Sequence, residues 1–341
     1  MWMFLTIAPR DLAEQKIENE HLIEEWQDWI LGNVMSINYL NSLMVYASKQ
    51  DFAFTIPDGY LIRYIQNKTS FHATVSQLAT ETHHALSGAR EDLNRVHTGL
   101  KWVPTQLKKM VLLMKRESFD SLLMLFPDSF NEIEKVANES LAVLRKPKKS
   151  FEQVLELITE IDYLLTTTQT DQIISLQVSD VKTQWTYLTQ MIRELSELAE
   201  VTRNNFLFKF NFILERILQP DVGFTVACRD VIISILLPTI IEIDQTSDIL
   251  ETITEVYNEI SSRYTDEESG GYGHLIELKK EEDRKRYLNQ FRYDLLKQVI
   301  EIARLALQRH TEYIRRDNNR KANYTKLLAE TSPANLTNLI S

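Results

Sequence analysis

Thirteen positions follow one another at alternating steps of four and three residues: Leu61, Ile65, Lys68, His72, Val75, Ala79, Thr82, Leu86, Ala89, Leu93, Val96, Leu100 and Val103. An α-helix turns once in 3.6 residues, so this spacing keeps the side chains on one face. About six heptads of it specify helix packed on helix rather than strand. The seam predicts a long helix running from Leu61. Pro104 is expected to kink or interrupt it, because proline lacks the amide donor and clashes with the preceding turn. The small and polar members Lys68, His72, Ala79, Thr82 and Ala89 imply close approach with less than maximal apolar burial.

The same spacing returns elsewhere. Ile37, Leu40, Met44 and Ala47 mark a helix over 33–50, after an amphipathic segment 9–31 carrying Leu12, Ile23, Trp26 and Ile30. Val181, Trp185, Leu188, Ile192, Leu195, Ala199, Thr202 and Phe206 form a second long seam, and Leu250, Ile253, Tyr257, Ile260 and Tyr264 a third. A final helix is predicted over 278–330, with Leu288, Phe291, Leu295, Val299, Ile302 and Ala306 on one side. Breaks are expected at Ile56-Pro57-Asp58-Gly59, at Phe126-Pro127-Asp128-Ser129, and at the basic turn Arg145–Ser150, where Ser150 would cap the next helix. Two further breaks are expected at Thr166-Thr167-Thr168 and in the loop Asp266–His274.

With only 8 Gly and 8 Pro in 341 residues, breakers are too few for a strand-and-turn fold. The expected fold is therefore all-α: an elongated rod of long helices with a coiled-coil neck and an apolar helical head. The expected division is tail helices in 1–60, a tail bundle and neck in 61–205, an apolar head with a hinge loop in 206–280, and a C-terminal neck or tail helix in 281–341.

The head is set apart by composition. Residues 206–243 hold Phe206, Phe208, Phe210, Phe212 and Ile213, then Val231, Ile232, Ile233, Ile235, Leu236, Leu237, Ile240 and Ile241, against seven charged side chains. Gln219-Pro220-Asp221 divides the segment into two arms. The run 231–241 is far short of the roughly 20 apolar residues of a constitutive span. It suits an amphipathic hairpin that lies on, or later enters, a bilayer, with Lys209, Arg216 and Arg229 toward headgroups or an aqueous lumen. The competing reading is an ordinary buried core. In the soluble chain the arms should be sheltered against each other and against the helix around 249–264. Pro220, Pro238, Gly270, Gly271 and Gly273 are the expected hinges, since backbone change concentrates where a donor is missing or a Cβ is absent. Once the arms extend, Pro238 leaves one carbonyl unpaired and is expected at a bend, near an interface or facing the lumen.

No HExxH, Walker-type loop, GxSxG or GxGxxG occurs, so no catalytic, cofactor-binding or metal site is assigned. His83 and His84 point about 100° apart on a helix and do not form an i, i+4 ligand pair. Gly270–Gly273 follows an acidic run rather than a strand and reads as a hinge, not a phosphate cradle. The mixed-sign run 277–286 reads as a solvated helix face. Cys228 is the only cysteine, which excludes an internal disulfide and a cysteine-based metal site. A net charge of −10 supplies no basic field for nucleic acid. The first ten residues lack a basic n-region, so export without a recognisable signal peptide is expected.

Long rod helices over 61–103, 181–206 and 281–316 with an apolar hairpin at 206–243 resemble the B component of the xenorhabdolysin-type binary toxins, α-helical pore-forming proteins of Gram-negative bacteria. The resemblance covers nearly the whole chain and rests on architecture. It implies a secreted, non-enzymatic soluble monomer that joins an A component on a target-cell membrane. The pair then assembles into a hetero-oligomeric ring, with this chain supplying the membrane-crossing hairpin. The alternative is a coiled-coil scaffold or adaptor whose apolar segment packs an end domain.

Overall fold

The computed structural model describes residues 32, 35–116, 119–168, 170–218, 226–265 and 281–331. Among them the chain is all-α, with no strand. The helices are α1 (35–49), α2 (Phe71–Arg116), α3 (Phe119–Ala142), α4 (Arg145–Thr167), α5 (Gln172–Leu218), α6 (Val226–Thr265) and α7 (Glu281–Thr331).

α2 packs against α3 and α4, these against α5, α5 against α6, and α6 back against α2, while α7 rests on α6. The directions are antiparallel throughout. Lys101 and Lys108 of α2 meet Glu251 and Asp244 of α6, so one helix ascends as the other descends. On the other side Arg145, Arg193 and Lys182 reach Glu200, Glu152 and Asp162 between α4 and α5 in the same reversed order. α3 and α4 together occupy one side of a four-helix bundle. At about 1.5 Å per residue, the 46 residues of α2 extend roughly 70 Å.

The seams account for the core. Every position from Val75 to Val103 on α2 and from Val181 to Phe206 on α5 is buried. The polar seam members find partners or tight quarters. Trp185 stacks on Phe151, ring centroids 5.0 Å apart, and its Nε1 donates to the Phe151 carbonyl at 3.0 Å. Thr202 and Thr246 share a hydrogen bond between α5 and α6, and the Tyr257 hydroxyl donates to the Leu86 carbonyl of α2 at 2.9 Å. Burial raises the Tyr257 phenol far above its ordinary value, as a hydroxyl locked in a neutral donor role requires.

Several expected boundaries are corrected. The seam does not begin in helix at Leu61, which is 73% exposed; α2 starts at Phe71. The reason is Glu160 of α4, whose buried carboxylate accepts the backbone N–H groups of Arg63 (2.8 Å), Tyr64 (2.7 Å) and Ile65 (2.9 Å). Those donors are spent outside any helical ladder. Ser70 then caps α2, its Oγ accepting from Ala73 N–H, while Asp51 accepts from His72 N–H and from Ser70. Burial opposes ionisation of Asp51, but these bonds together with the Phe52 N–H outweigh it and hold the carboxyl below its ordinary value.

Pro104 does not end α2, and Pro127 does not end α3. Buried neighbours, Val103 and Leu107 flanking Pro104 and Phe130 and Ile133 following Pro127, hold the chain helical at the cost of a missing ladder bond. The helix break falls instead at residues 143–144, and Pro147 sits in the first turn of α4, where an amide donor has no intrahelical partner to lose. The basic stretch is therefore helical, and Ser150 is no cap; its hydroxyl donates to the Lys146 carbonyl. The turn at Pro57-Asp58-Gly59 and the end of α4 at Thr167 fall where expected, with Gly59 at φ 78° and Tyr60 N–H donating to the Pro57 carbonyl.

Two outcomes follow. A methyl at Gly99 would overlap the Ser140 side chain where α2 crosses α3. Gly99→Ala should therefore lower stability by about 1–3 kcal/mol in urea unfolding, although alanine favours helix. Glu251 lies 3.3 Å from His97, whose imidazole is the largest influence and overcomes burial; with Lys101 this lowers its carboxyl from the ordinary 4.5 to about 2. A depressed carboxylate stabilises the fold above its unfolded value and ceases to do so as pH falls through the folded one. Unfolding midpoints should drop between about pH 4.5 and 2, and Glu251→Gln should flatten that drop.

Candidate functional site

The described residues of the apolar segment form the C-terminal end of α5 and the N-terminal part of α6. Helical spacing sorts its residues into two sets. Phe206, Phe210 and Ile213 stand at i, i+4 and i+7 and are buried, whereas Phe208 (73% exposed) and Phe212 (40%) point outward between them. On α6, Ile232, Ile233, Leu236, Leu237 and Ile240 are buried, Ile235 and Ile241 are half-buried, and Val231 is 53% exposed.

The buried set is sheltered, but not as expected. The helix around 249–264 is the continuation of α6 itself and lies farther along the same axis, so it covers nothing at the hairpin end. Shelter comes from α3 and α2. The Phe210 ring lies 4.3 Å from that of Phe130 on α3 and 4.8 Å from Phe206. Leu237 and Ile240 face Val111 and Leu112 of α2 across a cavity of about 470 Å³. The two arms are joined by charge: Lys209 Nζ lies 2.7 Å from buried Glu242, which also accepts from Asn205 at 3.0 Å. Lys209 thus pairs with the other arm instead of standing apart for a headgroup.

Of the expected hinges, Pro238 lies half-buried inside an uninterrupted α6, where Thr239 Oγ1 donates to the Ile235 carbonyl. Pro220, Gly270, Gly271 and Gly273 lie outside the described residues. The same holds for the side chain of Cys228. His83 and His84 have rings 6.0 Å apart, and among the described residues no group of three His, Cys, Asp or Glu side chains is placed to hold a metal. Among the described residues, no helix is long and apolar enough to cross a membrane.

Sequence reasoning passed over a second constellation. Asp244, Asp248, Glu251 and Glu255 recur on α6 at steps of four, three and four, and each meets a base. Lys108 binds Asp244 at 2.6 Å, and Arg320 binds Asp248. Glu251 draws His97 (3.3 Å), Lys101 (3.1 Å) and Arg316 (3.0 Å), and Glu255 draws Arg309 (3.1 Å). The spacing was there to be read; the partners, from Arg309 for Glu255 to Lys108 for Asp244, lie far away in the sequence and were not.

Because the two phenylalanines face opposite ways, Phe210→Ala should cost about 3–5 kcal/mol in chemical unfolding, while Phe208→Ala should change stability by no more than about 0.5 kcal/mol. No protein-family model, curated protein or solved structure matches the chain, so the site is read from its own geometry.

Proposed function

We propose that the chain is a subunit of a two-component α-helical pore-forming toxin. In this reading it is a secreted, non-enzymatic protein that meets an A-component partner on a target-cell membrane and assembles with it into a hetero-oligomeric ring. It commits the hairpin of α5 and α6 to the bilayer. The observation that carries the reading is the division of that hairpin. Its inner apolar face is stored in the bundle, while Phe208, Phe212 and Val231 are held in water at its flank. Large exposed aromatic groups beside a stored apolar face give a first contact for lipid and a reserve of surface for deeper entry.

The Lys209–Glu242 pair supports the same reading. It links one arm to the other rather than to α2 or α3, so the arms can leave the bundle as a unit with that charge pair intact. Movement would expose Phe130, Val111 and Leu107, whose cover must be regained from a partner or another copy, and so ties insertion to assembly.

The scaffold or adaptor reading draws support from a different observation: the hairpin's inner residues belong to the same continuous core as the seams of α2 and α5. Dye release separates the two. Ile233 and Ile240 are buried, so charges there would unfold the bundle and prove nothing about membranes. The informative variant places aspartate at Phe208, Phe212 and Val231. Vesicles incubated with this triple variant and the product of the neighbouring gene should retain dye that the unaltered chain releases, with circular dichroism unchanged. Release by the variant at the unaltered rate, or none by the unaltered chain with any partner, removes the toxin reading.

A further inference from the structure

Far from the hairpin, α2 and α4 part to leave a polar cleft of about 750 Å³. Its origin lies in small residues. Ala85, Gly88 and Ala89 present little side chain on this face of α2, and a Cβ built at Gly88 would meet nothing within 4 Å. Asp92, one turn farther along, forms part of the wall. Only 4% of it is exposed, and among the described residues its Oδ2 has no hydrogen-bond partner. Arg95 lies 3.9 Å from the other oxygen, Oδ1, with a side chain 74% exposed, and the Lys146 charge acts on the carboxylate more strongly than the Arg95 charge does. An unpaired carboxylate oxygen held out of water is costly and persists where something else can satisfy it. Arg63 and Lys146 line the same cleft; both are exposed, and neither forms an ion pair among the described residues. Glu81 and His84 add two further ionisable side chains, and neutral groups such as Ser87, Ser150 and Gln153 join them in a lining able to hold a polar molecule.

We propose that this cleft is a binding site for a small zwitterion, whose primary ammonium pairs with the Asp92 carboxylate and whose anionic group lies toward Lys146 and Arg63. The ammonium must carry hydrogens. A quaternary nitrogen brings charge but no donor to the carboxylate. A phosphoethanolamine unit meets the requirement, either as a soluble compound or as a lipid headgroup. The site stands on its own geometry and does not depend on the pore-forming reading.

The test uses the full chain and titration calorimetry with O-phosphoethanolamine, O-phosphocholine and ethanolamine. Phosphoethanolamine should bind saturably, and phosphocholine at least about tenfold more weakly, the scale of one charge-assisted hydrogen bond. Asp92→Asn, which keeps the shape and relieves a buried charge, should weaken phosphoethanolamine by a similar factor. Lys146→Met should weaken phosphoethanolamine but not ethanolamine. Gly88→Leu, which fills the cleft one turn from Asp92, should abolish binding while leaving the helical circular dichroism unchanged. Flotation with vesicles containing phosphatidylethanolamine, against phosphatidylcholine alone, then assigns the source: co-flotation that needs Asp92 points to the headgroup, and its absence to a soluble compound. Absence of saturable binding, equal affinity for phosphocholine, or binding retained by Asp92→Asn or Gly88→Leu overturns the proposal.

Discussion

The structure depends on α6 meeting three other helices through surfaces of different chemistry. Its apolar positions, Ile232, Leu236, Ile240, Ile243, Leu250 and Ile253, are buried in the bundle core. Its acidic positions at steps of four and three run beside them and draw bases from α2 on one side and α7 on the other. Apolar burial supplies the larger stabilisation but tolerates sliding, because one leucine is much like the next. Charge pairs that succeed only at one offset add little energy each and fix the register. A one-turn slip of α6 past α2 would keep most of the apolar overlap while separating Glu251 from Lys101 and His97.

The sequence made the long helices legible from periodicity alone, since each seam position from Val75 to Val103 and from Val181 to Phe206 lies in the core. It misplaced the start of α2 because periodicity is blind to Glu160, which lies 95 residues from Ile65 and claims its amide. It overrated Pro104 and Pro127 as breakers because the price of a lost ladder bond is local, whereas the packing that outweighs it comes from other helices. At the hairpin, composition marked the segment but not its division. Phe206, Phe208, Phe210 and Phe212 look equivalent in a row, and only the helix separates the buried pair from the exposed one. The cleft at Asp92 had no sequence signal at all, for it is a space between α2 and α4 defined by small residues.

The hairpin's two candidate roles place opposite demands on the same side chains. As core, Phe210 and Ile240 must fit α3 and α2 closely; as a membrane element, they must leave. The arrangement reconciles these demands by geometry. Stabilising contacts run from hairpin to bundle through apolar side chains, which lipid can replace, while Lys209 and Glu242, which lipid solvates poorly, are matched within the hairpin.

The α2–α6 interface also orders how the bundle is built. α2 meets α3, α4 meets α5 and α5 meets α6 across short connections, so these pairings ask the chain to close only small loops. Joining α6 to α2 brings together residues such as Lys101 and Glu251, 150 positions apart, and Leu86 and Tyr257, 171 apart. Loop entropy makes that closure the slowest step, and it adds little until several preceding helices are in place. The bundle is thus a sheaf of quickly made neighbours tied by one late knot. Until the knot is drawn, the face of α6 that α2 buries stays uncovered.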